Sequence, residues 1–305
     1  MMTIKKKKNL NQKYEIKSKH NALSIILLVF LSLYALTLFI VLGWGLMTSF
    51  KSVIDFTDHP YQFPKSIVNN FTTVFQEFKI SVPGTDGVPY TVELAEMYLY
   101  SFMYALGSAF TATLVPCITA YACARFPFKF SKVIYSVVLV AMIVPTVGNL
   151  PSELNLMMTL GIYNQIWGLW IMKANFLGMY FLVFYGVFKG FPASYSEAAK
   201  IDGANNLTIM LRIAFPLVIN VFATVMLINF VHFWNDYQTP LLYMSSFPTV
   251  AYGLFKLTRP GVLGKIANVP SLLTATMLVV FPILVLFIAF QKRLLGNLTV
   301  GGVKG

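Results

Sequence analysis

The chain has 305 residues, of which 57% are hydrophobic and only 11% charged. Soluble domains carry about 25% charge, so this composition excludes an ordinary soluble enzyme, a disordered protein and a disulfide scaffold. The net charge of +12 is unevenly placed: seven of the 23 Lys and Arg precede residue 20, directly before a long apolar run. A basic stretch in that position sets membrane topology and meets anionic headgroups; it is not a nucleic-acid site.

Runs free of charge predict an all-α, polytopic membrane protein. A helix needs about 20 apolar residues to cross the hydrocarbon. After the basic segment 1–20, spans are expected at about 22–49, 97–124, 132–151, 164–189, 214–235 and 268–291. The first run is too long for a signal peptide and lacks a following A-x-A cleavage site. Residues 237–255 are uncharged, but Pro240, Pro248, Gln238 and two serines argue against a bilayer location, so they are left outside. With both termini in the cytoplasm, the cytoplasmic pieces hold 16 Lys and Arg and the external pieces 6, with Lys173 in neither. That bias obeys the positive-inside rule.

The external segment 51–96 holds several Pro and Gly, and NNFTTVFQEF (69–78) predicts a short helix capped by Asn70. Cys117 and Cys123 lie in one apolar run and make no disulfide framework.

The cytoplasmic loop 192–213 is the most informative segment. Ser194 and Glu197 fit an S-x-x-E capping box, which predicts a short helix there. Ala198 and Ala199 are small and let another surface approach. Gly203 takes positive φ readily and ends the helix. Asn205 or Asn206 caps a second short helix, and Pro216 suits the first turn of the next span. Helix, glycine elbow, helix, then membrane is a shape that presses into a partner and pushes on the adjoining spans. An ordinary connector is the plain alternative. An Asp202 pair with Lys200 or Arg212 would be exposed and worth about 0–1 kcal/mol.

The run E-A-A at 197–199, D-G-A at 202–204 and I-x-x-P at 213–216 resembles the EAA loop of ABC importer permeases, with Phe215 where that family more often has Leu. ACARFPF (122–128) is similar to the Arg-containing loop of the carbohydrate-uptake branch. HFWNDYQTPL (232–241) resembles its Trp-Asn segment, and FQKRLLGNLTVGGVKG (290–305) resembles the tail of the smaller maltose-type permease. The likeness runs from about residue 98 onward. It implies a type I ABC importer permease fold in a bacterial plasma membrane, and a sugar, chiefly oligosaccharide, as cargo. The implied partners are a second, homologous permease, two ATPase subunits and an external sugar-binding protein, besides membrane lipid. Ser194, Glu197, Ala198, Ala199, Asp202, Gly203, Ala204 and Pro216 would then couple to the ATPase, and the tail residues Gly301, Gly302 and Lys304 would enter its dimer interface. The chain itself would bind no cofactor; ATP and Mg would belong to the ATPase.

Lys173, His232, Trp234 and Asn235 are the candidates for a substrate path. Lys173 is ionisable near membrane depth, which marks a functional site, or else it snorkels outward. Trp234 belongs either to an interfacial aromatic belt or, beside Asn235, to a sugar path. His232 has no second His or Cys to suggest metal. No G-x-x-x-x-G-K-[ST] cradles phosphate, and no catalytic motif is present, so the chain reads as a non-enzymatic subunit. A peptide or phosphate-ester importer and a non-transport scaffold remain the alternatives.

Overall fold

In a computed structural model, the structure describes residues 22–84, 88–126, 128–144, 148–259 and 266–298. Helix α1 (Ala22–Thr48) is apolar on every face, and its buried residues are Gly45 and Thr48, at its C-terminal end. There it meets the last helix, α14 (Val269–Leu298), and the Thr274 hydroxyl donates to the Ser49 carbonyl at 3.1 Å. The segment expected to be external then builds a short α2 (Val53–Asp58), capped by Ser52, and α3 (Asn70–Glu77). The expected helix at 69–78 is present, but Asn69 caps it, its oxygen accepting from the Thr72 N–H. Asn70 instead donates its amide to the carbonyls of Ser49 and Lys51. It ties the helix to the end of α1.

The chain is mostly helical, with one departure among the described residues. Strands β1 (Lys79–Pro83) and β2 (Pro89–Glu93) pair antiparallel, Lys79 opposite Glu93 and Pro83 opposite Pro89. Each strand carries β-branched residues, and a Gly-Thr-Asp-Gly stretch lies between them, the composition of a hairpin. Lys79 and Glu93 form an ion pair at 2.6 Å, which holds the Lys79 ammonium above its ordinary pKa.

Helix α4 (Leu94–Arg125) is the axis of the molecule. It packs against α5 (Ser131–Ile143), α7 (Ile166–Lys173), α8 (Met179–Lys189), α11 (Phe215–Asn235) and α13 (Val250–Leu257). Its first turn closes on itself, the Glu93 N–H donating to Glu96 at 3.0 Å. Between α5 and α7 lies α6 (Leu150–Thr159). The loop after α8 carries α9 (Ala193–Ile201) and α10 (Asn206–Ile209). After α11 come α12 (Gln238–Tyr243) and α13, then α14 (Val269–Leu298). Residues 237–255, expected outside the bilayer, thus fold as two short helices. The Val250 N–H docks on the Ser101 hydroxyl of α4 at 2.8 Å.

Four helices among the described residues are long and apolar enough to cross a membrane: Ala22–Thr48, Leu94–Arg125, Asn206–Asn235 and Val269–Gln291. The protein is a multi-pass membrane protein. The run expected as one span at 164–189 is broken into α7 and α8, with Gly178 at φ 152° between them. The run expected at 132–151 is helical over Ser131–Ile143.

Two apolar clusters share α4. One joins Tyr104, Ala105 and Ala109 to Leu169, Phe233 and the hairpin. The other joins Cys117 and Ala120 to Phe184, Phe188 and Val218. Packing is close in the first, where Trp170 lies against Gly107 and its indole N–H donates to the Met103 carbonyl at 3.0 Å.

Candidate functional site

Two features built from the same helices form the site: an elbow within the 192–213 loop and a polar cavity. In the elbow, Pro192 holds an extended backbone (φ −57°, ψ 135°) and Ala193 is already helical. Ser194 is therefore inside the first turn and does not cap. The expected Ser194–Glu197 box is absent, and Glu197 stands exposed. The helix ends in a Schellman motif: the Ala204 N–H donates to the Ala199 carbonyl at 2.9 Å and the Gly203 N–H to that of Lys200 at 3.0 Å. Gly203 carries the required positive φ of 79°. Its surroundings are open, so the glycine answers to backbone geometry alone.

Of the paired alanines, Ala199 is buried and Ala198 exposed. Tyr195 and Ile201 add apolar surface to the exposed side, Ile201 at 86%. Asp202 is exposed and forms no ion pair with Lys200 or Arg212.

Asn205 then caps, its oxygen accepting from the Thr208 N–H at 2.8 Å. Pro216 lies in the first turn of α11, as expected; in addition, α10, a π-turn and α11 run on as one rod from Asn206 to Asn235. A proline inside a helix leaves the carbonyl four residues earlier without its donor. The rod absorbs this with a π-turn at Met210–Ala214, where the Phe215 N–H reaches back to the Met210 carbonyl. At the entrance to the loop, the Arg125 guanidinium lies over the Phe191 ring (6.0 Å) and donates to the Pro192 carbonyl at 3.4 Å. The end of α4 thereby holds the start of α9. The tail residues Gly301, Gly302 and Lys304 lie outside the described residues.

The cavity, of about 360 Å³, lies where the two apolar clusters part. Ala112 and Pro116 of α4 form one wall; Pro116 deprives the Ala112 carbonyl of its helical donor. The non-helical stretch between α7 and α8 forms another, with Asn175 and Tyr180. Asn229 and His232 of α11 complete it. The break at Gly178 leaves non-helical backbone that lines this cavity. Lys173 lies in this cavity with its ammonium 5.7 Å from the Phe233 ring centre. Asn229, 5% exposed, donates to the Thr113 hydroxyl of α4 at 3.0 Å. Amides, a phenol, a cation and the rings of Phe176, Phe181 and Phe233 therefore face one space.

The structure brings Lys173 and His232 together and separates the other two candidates. Trp234 is 1% exposed; its indole N–H donates to the Val279 carbonyl at 3.2 Å, and Phe102 packs against it edge-on at 4.8 Å. It serves helix packing, neither a belt nor the cavity, because a ring on that face of α11 points at α4 and α14. Asn235 turns back to the Val231 carbonyl of its own helix at 2.8 Å. Asn175, Tyr180 and Asn229 were missed. Their signal was present as uncharged polar residues within apolar runs, which a search for charge-free stretches passes over.

The acids near the cavity are partnered. Asp236 accepts from the Tyr104 hydroxyl at 2.8 Å and the Thr239 N–H at 3.0 Å. Glu153 accepts from Asn149 and from Tyr243, whose hydroxyl burial and Glu153 together hold well above its ordinary pKa. Among the described residues no group of three or more His, Cys, Asp or Glu is placed to hold a metal.

Residues 112–298 match the family described as "Binding-protein-dependent transport system inner membrane component". That stretch is more than half of the chain. The chain belongs to this family of transport permeases. Curated relatives include the melibiose/raffinose/stachyose import permease protein MelC of Bacillus subtilis, 29% identical over 65% of this chain and 72% of MelC. The galactooligosaccharides transport system permease protein GanQ of the same organism is 28% identical over 76% of this chain and 80% of its own. The multiple sugar-binding transport system permease protein MsmG of Streptococcus mutans is 27% identical over 90% and 95%. A solved bacterial ABC transporter, involved in the import of the acidic polysaccharide alginate, superposes with a TM-score of 0.72 at 21% identity. It covers 90% of this chain and 97% of its own. At that identity the likeness speaks to the fold alone.

Proposed function

We propose that this permease forms half of the pathway of an ATP-driven sugar importer, with an oligosaccharide as the cargo. Six spans carry it: α1, α4, α5, the α7–α8 pair, the α10–α11 rod and α14, with both termini in the cytoplasm. A second, homologous permease completes the pathway, two ATPase subunits dock below and a sugar-binding protein delivers cargo outside. ATP and Mg stay with the ATPase, and this chain holds neither. The observation that carries the reading is that one helix has both functions. The rod Asn206–Asn235 begins at the elbow and ends with Asn229 and His232 in the cavity wall.

The mechanism follows from that rod. At about 1.5 Å per residue, its 30 residues make a lever of about 45 Å. The exposed side of α9, with Glu197, Ala198, Ile201 and Asp202, rests on the ATPase. When ATP closes the ATPase dimer, α9 moves and the Schellman elbow at Gly203 transmits the motion to α10 without flexing. The far end of the rod shifts Asn229 and His232 against Lys173, which opens the cavity outward; ADP release reverses the movement. Sugar hydroxyls suit the amides, the Tyr180 hydroxyl and the freed Ala112 carbonyl, and their C–H faces suit the phenylalanine rings. The names of the relatives support sugar over peptide or phosphate ester, and a single lysine is too little charge for an anionic ester.

The test is co-purification from native membranes, with uptake of labelled raffinose and galacto-oligosaccharides by the same strain. Recovery of an ATPase and a second permease, with uptake abolished in Gly203→Val, is the expected result. Recovery of neither partner, or normal uptake in the variant, would refute it.

A further inference from the structure

The segment after α1 folds back toward the membrane. The Trp44 indole N–H donates to the Pro60 carbonyl at 3.0 Å, so Pro60 lies level with a residue one turn inside the helix. Helix α1 has 27 residues, about 40 Å at 1.5 Å per residue. With α1 centred in a hydrocarbon layer of about 30 Å, the layer ends near residue 45. Pro60 is thus held at the hydrocarbon edge. The fold-back is fixed at several points. The Lys51 ammonium, buried at 0% exposure, donates to the carbonyls of His59 at 2.7 Å and Pro60 at 3.1 Å. The Lys65 N–H donates to Asp55 at 3.1 Å, and the Val68 N–H to Phe50 at 2.9 Å.

This clamped loop turns its apolar side chains away from the protein. Tyr61 and Phe63 are each 83% exposed and Ile67 is 81% exposed. Tyr61 and Phe56 both lie 6.4 Å from the Trp44 ring, which gathers three aromatic rings at one level. A rigid loop that holds large apolar groups in water gains nothing from them. At the headgroup boundary they are in their preferred medium, since amphipathic rings concentrate there.

We propose that residues 59–67 form an aromatic foot seated in the lipid interface at the C-terminal end of α1, with the headgroup–acyl boundary of the bilayer as its partner. The foot fixes the depth and tilt of α1, a helix whose buried residues, among the described ones, are Gly45 and Thr48 near its C-terminal end. Exposed Lys65 lies among the apolar residues, where its ammonium meets headgroup phosphate. The inference rests on α1 crossing the bilayer.

The experiment uses the full transporter reconstituted in phosphatidylcholine–phosphatidylglycerol nanodiscs, with Cys117 and Cys123 replaced by Ser. Tyr61→Cys, Phe63→Cys and Leu33→Cys are each labelled with an environment-sensitive fluorophore; all three positions are exposed, so the label should not disturb packing. Emission is then read with nitroxide lipids spin-labelled at the headgroup or deep in the acyl chain, and with an aqueous quencher. Loss of emission at 61 and 63 with the headgroup nitroxide, and at 33 with the deep nitroxide, is expected. Loss at 33 as expected, with 61 and 63 quenched from water, overturns the foot. Protection of 61 and 63 from every quencher also overturns it, since a protein partner then covers the loop. No quenching at 33 by lipid overturns the span on which the foot depends.

Discussion

Helices α1 and α4 are both apolar and both long enough to cross a bilayer, yet they have opposite roles. Helix α1 is the more uniformly hydrophobic, and nearly all of it faces away from the protein. Helix α4 carries Ser101, Ser108, Thr113 and Gly107, and it packs against α5, α7, α8, α11 and α13 and bonds α14 through the Tyr98 hydroxyl. In water the more apolar helix would be the buried one. In lipid, burial gains little from apolarity, and helices associate where small residues allow close approach and hydroxyls find partners. The polar and small positions of α4 therefore mark the centre, and the oily surface of α1 marks the periphery.

The contrast predicts unequal responses to substitution. Gly107→Val should have the largest effect. A side chain there falls within the Trp170 ring, and overpacking of that kind costs about 3 kcal/mol; the thermal midpoint of the solubilised protein should fall sharply. Gly203→Val comes next. Space around Gly203 is open, so the penalty is backbone strain of about 1–2 kcal/mol. The protein should still accumulate while sugar uptake is lost. Gly203→Asn, which tolerates positive φ, should restore much of it. Asn229→Ala removes the bond to Thr113 and should cost about 1 kcal/mol in a double-mutant cycle with Thr113→Val, with weaker uptake. Leu33→Ala on α1, 58% exposed, should move stability by less than about 0.5 kcal/mol. An α1 as sensitive as α4 would break the comparison.

The elbow was legible residue by residue. Gly203 has the expected φ, Asn205 is the one of the two expected asparagines that caps, and the helix over 193–201 lies where Ala-rich sequence favours it. These are local choices made within a few residues. The failures there are also local and instructive. Pro192 starts α9 two residues too early for Ser194 to cap, and a π-turn joins α10 to the first turn of α11 in which Pro216 sits. The cavity was scarcely legible. Lys173 and His232 were found because a charge or an imidazole stands out in an apolar run. Asn175, Tyr180 and Asn229 do not stand out, and Trp234 looked functional where it only packs.

The sequence alone determined that the chain is a membrane protein, that the runs of α1, α4, α11 and α14 are apolar enough to cross, and that the 192–213 loop bends at Gly203. Charge density, run length and the conformational needs of Gly and Asn are properties of neighbouring residues, and they hold wherever the segment ends up. Only the tertiary structure decided that residues of 112–116, 173–181 and 229–233 face one cavity, that Arg125 reaches Pro192, and that the Trp44 indole binds the Pro60 carbonyl. Several of those contacts join residues many turns apart in the chain, and they depend on which face of each helix its neighbours leave free.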